Sequence, residues 1–218
     1  MTKTNICAIA IVCVALAACQ KKSDEATTSA PAAAAPAAAA APAAEPTQEQ
    51  RERAQRQAQL DYATMEDGFL NDPHGQWAKE ATATSSFGDS RNNTSDSNKP
   101  HNLVGKPDGK TWTNDNQDMG FDSIELAYEK PVHATEVRAV FTDGASTVSK
   151  LELKDVDGKY ITVWSGLNED AREQRGPRSW FVRKFDKTPS SIQGVKITIA
   201  NPVSRGYKVA DAVQLVGE

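Results

Sequence analysis

Two short stretches of the 218-residue chain combine an aromatic ring with side chains that form hydrogen bonds. In the first, Trp112 is followed by Asn114 and Asp115. In the second, Arg205 stands two residues before Tyr207. An aromatic ring face stacks on the C–H groups of a sugar, while amide, carboxylate and guanidinium groups bind its hydroxyls. These five residues are therefore our candidate ligand-binding residues. The alternative is that these residues pack in the core or form ordinary turns. Of the five, Trp112 is the one that we most expect to be buried.

The sequence lacks the local motifs of common catalytic and metal sites. Its three histidines, His74, His101 and His133, are not spaced as a metal-binding pair. Glycine-rich nucleotide loops and the Gly-x-Ser-x-Gly nucleophile motif are also missing. We therefore predict that the protein is not an enzyme. The alternative is a Ser-His-Asp triad assembled across the fold.

Residues 114–118 are rich in oxygen ligands and come close to the spacing of an EF-hand calcium loop, with Glu125 at the twelfth position. The sixth position is Met119, where that loop requires glycine for its sharp turn. Glu125 also lies in the alternating pattern of a strand. We therefore interpret this stretch as a polar loop.

The composition excludes two classes of protein. The formal net charge is -4, whereas a nucleic-acid-binding surface needs a basic stripe. The chain has 3 cysteines, too few for a disulfide scaffold. We expect no nucleic-acid partner.

The N-terminus has the pattern of a secretion signal. Lys3 is followed by an uncharged run, residues 6–18, which is too short to span a bilayer and fits a signal-peptide core. The run ends in residues 16–19, Leu-Ala-Ala-Cys, which resemble the bacterial lipobox. That resemblance implies a signal peptide over 1–18, acylation of Cys19 and a lipid anchor in the membrane. Gln20 resembles an outer-membrane address. The alternative is an ordinary secreted protein cut near residue 18.

A linker and a helix are predicted next. Residues 19–47 contain the acylated N-terminus and an Ala/Pro-rich tract that has no large apolar side chain to bury, so we predict a disordered linker. Thr47 and Gln50 have the spacing of a capping box, followed by good helix formers. We predict a short charged spacer helix over 48–69, exposed to solvent. The alternative is a helix that docks on a partner.

From residue 70 onward the pattern indicates strands. Apolar and polar residues alternate in short segments, and Asp157-Gly158 is a strong hairpin signal. We predict eight strands, over 81–85, 124–128, 135–141, 151–154, 160–164, 180–185, 195–199 and 212–216. Such spacing without helical periods predicts an all-β, antiparallel β-sandwich or jelly roll over 70–218.

This region resembles the galactose-binding-like, or discoidin-like, domains. The similar segments occur in the family's order, at residues 76–87, 102–112, 123–134, 151–166 and 211–217. The resemblance implies an eight-stranded jelly roll that binds a ligand, often a glycan or a phospholipid headgroup, through loops at one end. It also implies a structural calcium held by Asp108 and Asp211.

Together these observations predict a membrane-anchored, non-catalytic binding lipoprotein. Its partner would be a carbohydrate or a glycan-bearing component of the envelope, and its domain would face the periplasm or the exterior of a Gram-negative outer membrane. The alternative is a structural or assembly protein that binds another envelope protein and no small molecule.

Overall fold

The chain folds into two antiparallel sheets that pack face to face, with one long helix against the outer side of one sheet. The computed structural model describes residues 45–91, 95–169 and 177–218. The predicted signal peptide, Cys19 and most of the Ala/Pro linker lie outside these residues. The helix is α1 (Gln48–Leu70), and the described strands are β1 (Gly75–Trp77), β2 (Glu80–Ala83), β3 (Trp112–Thr113), β4 (Phe121–Val132), β5 (Ala134–Asp143), β6 (Val148–Asp155), β7 (Tyr160–Ser165), β8 (Ser179–Lys184), β9 (Ile192–Ala200) and β10 (Val209–Gly217).

Each sheet contains five of these strands. Sheet A has the order β1-β10-β5-β8, with β3 also paired to β10, and sheet B has the order β2-β4-β9-β6-β7. The prediction of an all-β antiparallel jelly-roll sandwich is confirmed, and all eight predicted strands are present. The described residues add β1 and β3. These have only 3 and 2 residues, so they are too short to show an alternating pattern.

The core lies between the sheets and is built by the alternation of side chains along each strand. On β4, Ile124 and Leu126 face inward, and on the neighbouring β9 so do Ile197 and Ile199. Polar residues of the same strands point outward, because successive side chains of a strand lie on opposite faces. The outer face of sheet B is therefore a polar surface.

Helix α1 begins as predicted but does not remain in solvent. Its capping box is present, since the Thr47 amide donates to Gln50 Oε1 (2.8 Å) and the Gln50 amide donates to Thr47 Oγ1 (3.3 Å). Its second half packs on the outer face of sheet A: Tyr62, Met65, Phe69 and Leu70 contact Val140, Trp180 and Ala212. The prediction of a solvated spacer helix therefore fits only the first half of α1. The limits 1–18, 19–47, 48–69 and 70–218 stay predictions.

A buried arginine joins the end of α1 to sheet A. The Arg138 guanidinium forms two hydrogen bonds with Glu136 (3.0 and 2.9 Å), one with Gln214 Oε1 (3.0 Å) and an ion pair with Asp72 (2.8 Å). It also lies over the Phe69 ring, with 4.3 Å between its central carbon and the ring centroid. The charge is thus paired and hydrogen-bonded, as a buried charge must be. Within the part of the chain that the structure describes, no helix is long and apolar enough to cross a bilayer.

Candidate ligand-binding site

The outer face of sheet B contains a depression where two neighbouring residues have very small side chains. The strand register aligns Glu80, Ala127, Gly194, Lys154 and Tyr160 in one row across β2, β4, β9, β6 and β7. Residues aligned in this way share a face of the sheet. Ala127 and Gly194 lie in the middle of the row, so they form a low floor between the larger side chains of Glu80 on one side and Lys154 and Tyr160 on the other.

We call this depression the Gly194 cleft. Its volume is about 330 Å³. The next row of the same face supplies Glu125, and the β6–β7 turn supplies Val156 and Gly158. A side chain at residue 194 would crowd this floor, because its Cβ atom would lie only 3.1 Å from Lys154 Cβ and 3.2 Å from the Leu126 carbonyl oxygen. The remaining lining residues are Ala81, Thr82, Leu126, Asp155, Gln193 and Val195.

The aromatic ring of the cleft is fixed by a charged pair. The Tyr160 hydroxyl donates to Glu125 Oε2 (2.7 Å), and Lys196 Nζ donates to Glu125 Oε1 (2.8 Å). Tyr160 is still 37% exposed, so its ring remains accessible. Hydrogen bonds from Lys196 and Tyr160 hold the pKa of Glu125 below its ordinary value. The hydrogen bond to Glu125 raises the pKa of Tyr160 to about 12, so the hydroxyl stays protonated at neutral pH.

This arrangement suits a ligand with one flat apolar face and a polar rim. The Tyr160 ring offers a stacking surface, with Lys154 Nζ 5.5 Å and Lys196 Nζ 5.6 Å from its centroid. The lysines are donors, and the carboxylates of Glu80 and Glu125 are acceptors. A pyranose presents axial C–H groups on one face and hydroxyls around its edge. The cleft is therefore chemically matched to a sugar.

The structure corrects two of the residues that the sequence predicted to bind a ligand. Trp112 is fully buried in β3, and its indole Nε1 donates to the Ser85 carbonyl oxygen (2.9 Å). Asn114 is also fully buried; its amide oxygen accepts from the Lys208 amide (2.8 Å), and its amide nitrogen donates to Asn201 (3.1 Å). Both side chains support the core and the adjoining loops, so they offer no surface to a ligand.

The other three predicted residues lie at the loop end of the sandwich. Asp115 accepts hydrogen bonds from the Gly88 and Ser90 amides (both 2.9 Å), and those from Ser90 hold its pKa below the ordinary value. Tyr207 packs edge-to-face on Phe87, with ring centroids 5.1 Å apart. Asp115 and Tyr207 therefore both position the segment that begins at Phe87. Arg205 is exposed nearby in the chain, and its ligand role stays a prediction.

Asp108 and Asp211 do not fit a calcium ion. The buried Asp211 carboxylate accepts from the Asp108 amide (3.2 Å) and the Gly109 amide (3.3 Å), and the Arg178 guanidinium lies 4.0 Å away. Calcium requires six to eight oxygen ligands, whereas these neighbours are donors and a cation. Asp108 itself pairs with Lys110 (3.1 Å). In residues 45–91, 95–169 and 177–218, no cluster of three or more His, Cys, Asp or Glu could hold a metal.

One important residue of the loop end was not predicted from the sequence. Lys208 is fully buried, and its ammonium donates to the carbonyl oxygens of Gln117, Asn201 (3.0 Å), Ser204 (2.7 Å) and Gly206 (2.6 Å). Burial lowers the pKa of Lys208. The buried ammonium thereby links the loop that contains Gln117 to residues 201–206. Nothing in its sequence context distinguishes it from a surface lysine, and Gly194 stands just before the predicted strand 195–199 rather than inside it.

Comparison with known proteins adds distant structural likenesses. No family model and no curated protein matches the chain. A chitosan-binding module of a chitosanase/glucanase from Paenibacillus sp. IK-5 has a TM-score of 0.49 and 10% identity, over 64% of this chain and 96% of that chain. A family 32 carbohydrate-binding module of C. perfringens NanJ, in complex with galactose, has 0.47 and 15%, over 65% and 98%. The N-terminal domain of the single-strand break repair protein XRCC1 has 0.45 and 15%, over 64% and 97%. These likenesses do not identify a ligand.

Proposed function

We propose that the protein is a non-catalytic carbohydrate-binding lipoprotein that binds a glycan of the cell envelope in the Gly194 cleft. The observation that carries the proposal is the Tyr160 ring, which is fixed by Glu125 above a floor of small residues and flanked by lysine donors. An aromatic surface with a few positioned polar groups is the usual composition of a small-ligand site.

The charge state of Glu125 does not suit the general acid of a glycosidase. A glycosidase needs a carboxylic acid whose pKa is raised, so that it is protonated and can donate to the leaving oxygen. The pKa of Glu125 is instead lowered, and each of its oxygens already accepts a hydrogen bond. Glu125 is therefore suited to hold Tyr160 and to accept from a sugar hydroxyl.

Binding to polysaccharides in affinity gels, followed by calorimetry with the retained sugar, tests the proposal. Tyr160→Ala removes the central aromatic anchor, and such a loss costs about 2 kcal/mol or more, which is roughly a 30-fold loss of affinity. Tyr160→Phe keeps the ring and should retain most of the affinity. Phe121→Ala, which removes a 69% exposed ring outside the cleft, is the matched control. Equal affinity of the Tyr160→Ala variant and the wild-type protein would place the binding elsewhere.

The anchoring part of the proposal rests on the lipobox at residues 16–19 and on Gln20, which supports an outer-membrane location. Several acyl chains on Cys19 would hold the protein at the membrane. Cys19→Ser should abolish labelling by a palmitate analogue in the producing bacterium. Labelling of this variant at the wild-type level would refute the anchor and leave the sugar site unaffected.

A second candidate function is assembly with another envelope protein. It is favoured by exposed apolar side chains at the loop end, where Met119 is 74%, Phe121 69% and Val203 47% exposed. These residues are close together, since Phe121 pairs with Ala200, and the side-chain amide nitrogen of the adjacent Asn201 donates to the Met119 carbonyl oxygen (3.1 Å). A photo-crosslinker at residue 121 that repeatedly captures one defined envelope protein would support this function. Glycan binding that depends on Tyr160 would support the first.

A further inference from the structure

Two of the carboxylates near the aromatic side of the Gly194 cleft are paired with lysines. Glu125 is paired with Lys196 (2.8 Å), and Glu152, in the same row of the sheet as Glu125, is paired with Lys150 (3.0 Å). Asp155, at the end of β6, is buried and accepts from the Asp157 amide (3.0 Å) and the Lys159 amide (2.8 Å). Glu125 and Glu152 are therefore ion-paired, whereas the Asp155 carboxylate is held by backbone amides of the β6–β7 turn.

Lys154 differs from them. Its side chain is exposed on the rim between Gly194 and Tyr160, and it belongs to no ion pair with a carboxylate among the residues that the structure describes. Its ammonium lies 5.5 Å from the Tyr160 ring centroid. Its charge reaches Glu125 only as a weaker, longer-range interaction. An exposed ammonium that is in no ion pair among the described residues therefore lies beside the aromatic ring of the cleft.

The acidic rim residue on the opposite side is too distant to cancel this charge. Glu80 lies on β2 and Lys154 on β6, three strand spacings apart in sheet B. At about 4.8 Å per strand the backbones are roughly 14 Å apart. Charges exposed to solvent at that distance are screened at about 0.1 M salt, where the Debye length is about 10 Å. A ligand that stacks on Tyr160 therefore meets the Lys154 ammonium rather than the Glu80 carboxylate.

We infer that the glycan bound in the Gly194 cleft is acidic: a sugar residue that stacks on Tyr160 and directs an anionic group, a carboxylate or a sulfate, to the Lys154 ammonium. This inference rests on the proposed function. A neutral sugar that stacks on Tyr160 displaces the Lys154 ammonium from the ring face and offers it no anionic partner. An acidic sugar replaces that contact with a charge-assisted hydrogen bond, the stronger kind.

The test uses sugars that differ only in charge. Calorimetry compares neutral oligomers of glucose, galactose and mannose with the corresponding uronates, and a galactan with its sulfated form. We expect at least one acidic member to bind about tenfold more tightly than its neutral counterpart, a difference of about 1.4 kcal/mol. The ratio should fall as salt is raised from about 0.01 to 1 M, because the site is exposed.

Two variants assign the preference to Lys154. Lys154→Gln should lower the ratio of acidic to neutral affinity to about one, and Tyr160→Ala should weaken the binding of both forms. Lys187→Gln removes an exposed lysine that pairs with Glu218, outside the cleft, and should leave the ratio unchanged. The uronate and sulfate arms identify which anion is bound.

The failures of the two proposals are distinguishable. Neutral oligomers that bind as tightly as the acidic ones, with loss of both in Tyr160→Ala, would overturn the acidic preference and keep the sugar site. A ratio that survives in Lys154→Gln would also overturn it. Absence of binding by every sugar in the panel would refute the proposed function itself.

Discussion

The docking of α1 on sheet A can be tested at Phe69. Its ring lies 5.1 Å from the Trp180 ring at an interplanar angle of 60° and beneath the Arg138 guanidinium at 4.3 Å. The Phe69 carbonyl oxygen also accepts from Gln214 Nε2 (2.9 Å). The substitution Phe69→Ala removes both ring contacts and keeps the backbone hydrogen bond, so it isolates the contribution of the side chain.

The expected loss of stability follows from partial burial. Truncation of a fully buried phenylalanine to alanine costs about 3–5 kcal/mol, and Phe69 is only partly buried. The aromatic pair contributes about 0.5–1.5 kcal/mol and the cation–π contact about 1 kcal/mol. We therefore expect a free energy of unfolding lower by about 2–3 kcal/mol. At about 2–4 °C per kcal/mol this lowers the melting temperature by roughly 5–10 °C.

Thermal and urea unfolding followed by circular dichroism provide the measurement. The control is Phe121→Ala, which removes a ring that is 69% exposed, and it should change stability by less than about 0.5 kcal/mol. Phe69→Leu, which keeps an apolar side chain, should fall between the two. If Phe69→Ala is no more destabilising than the control, α1 is not docked on sheet A in solution.

Three further predictions concern the cleft and the calcium hypothesis. Gly194→Ala, which places a methyl group on the floor 3.1 Å from Lys154 Cβ, should lower glycan affinity while the far-ultraviolet spectrum is kept; unchanged affinity would contradict the cleft as the binding site. Added calcium or chelator should leave the melting temperature unchanged, because the Asp211 carboxylate faces amide donors and Arg178; a rise of several degrees would contradict this. Glu125→Gln should be less stable than the wild-type protein at neutral pH. Because the pKa of Glu125 is lowered in the folded protein, its contribution is complete above the pKa of the unfolded chain and is lost as pH falls through the folded-state pKa, so the stability difference should narrow in acid. In the alkaline range, the hydrogen bond from Tyr160 to Glu125 should stop contributing to stability as pH rises toward about 12, where the hydroxyl ionises. A stability difference between Glu125→Gln and the wild-type protein that does not change with pH would refute the coupling of these two residues.

The sandwich could be predicted from the sequence because its longer strands alternate regularly. The docking of α1 could not. Tyr62, Met65 and Phe69 form a short apolar stripe, but their partners on sheet A are hidden in strands that are apolar on both faces. Trp180 and the adjacent Phe181 are both fully buried, one beneath the helix and one in the core. A continuous apolar run of this kind indicates a strand covered on both sides, not which element covers it.

The candidate site was harder to predict than the fold because it is made by register. Lys154 and Tyr160 belong to one hairpin, but Ala127 and Gly194 are distant from it and from each other in the sequence, and they join it only when four strands are aligned. The residues chosen for their chemistry included Trp112, a large aromatic beside polar neighbours, which the fold uses as a core side chain. Residue type therefore identified suitable chemistry, while the location of the surface depended on strand pairing.

Helix α1 and the candidate cleft lie on opposite faces of the sandwich. Helix α1 covers the outer face of sheet A, whereas the Gly194 cleft lies on the outer face of sheet B. The closed core and a sheet separation of about 10 Å lie between them. A ligand in the cleft therefore does not compete with α1 for any side chain. It follows that Phe69→Ala, measured well below its melting temperature, should leave glycan affinity at the wild-type value, because α1 and the proposed binding site lie on opposite faces of the sandwich.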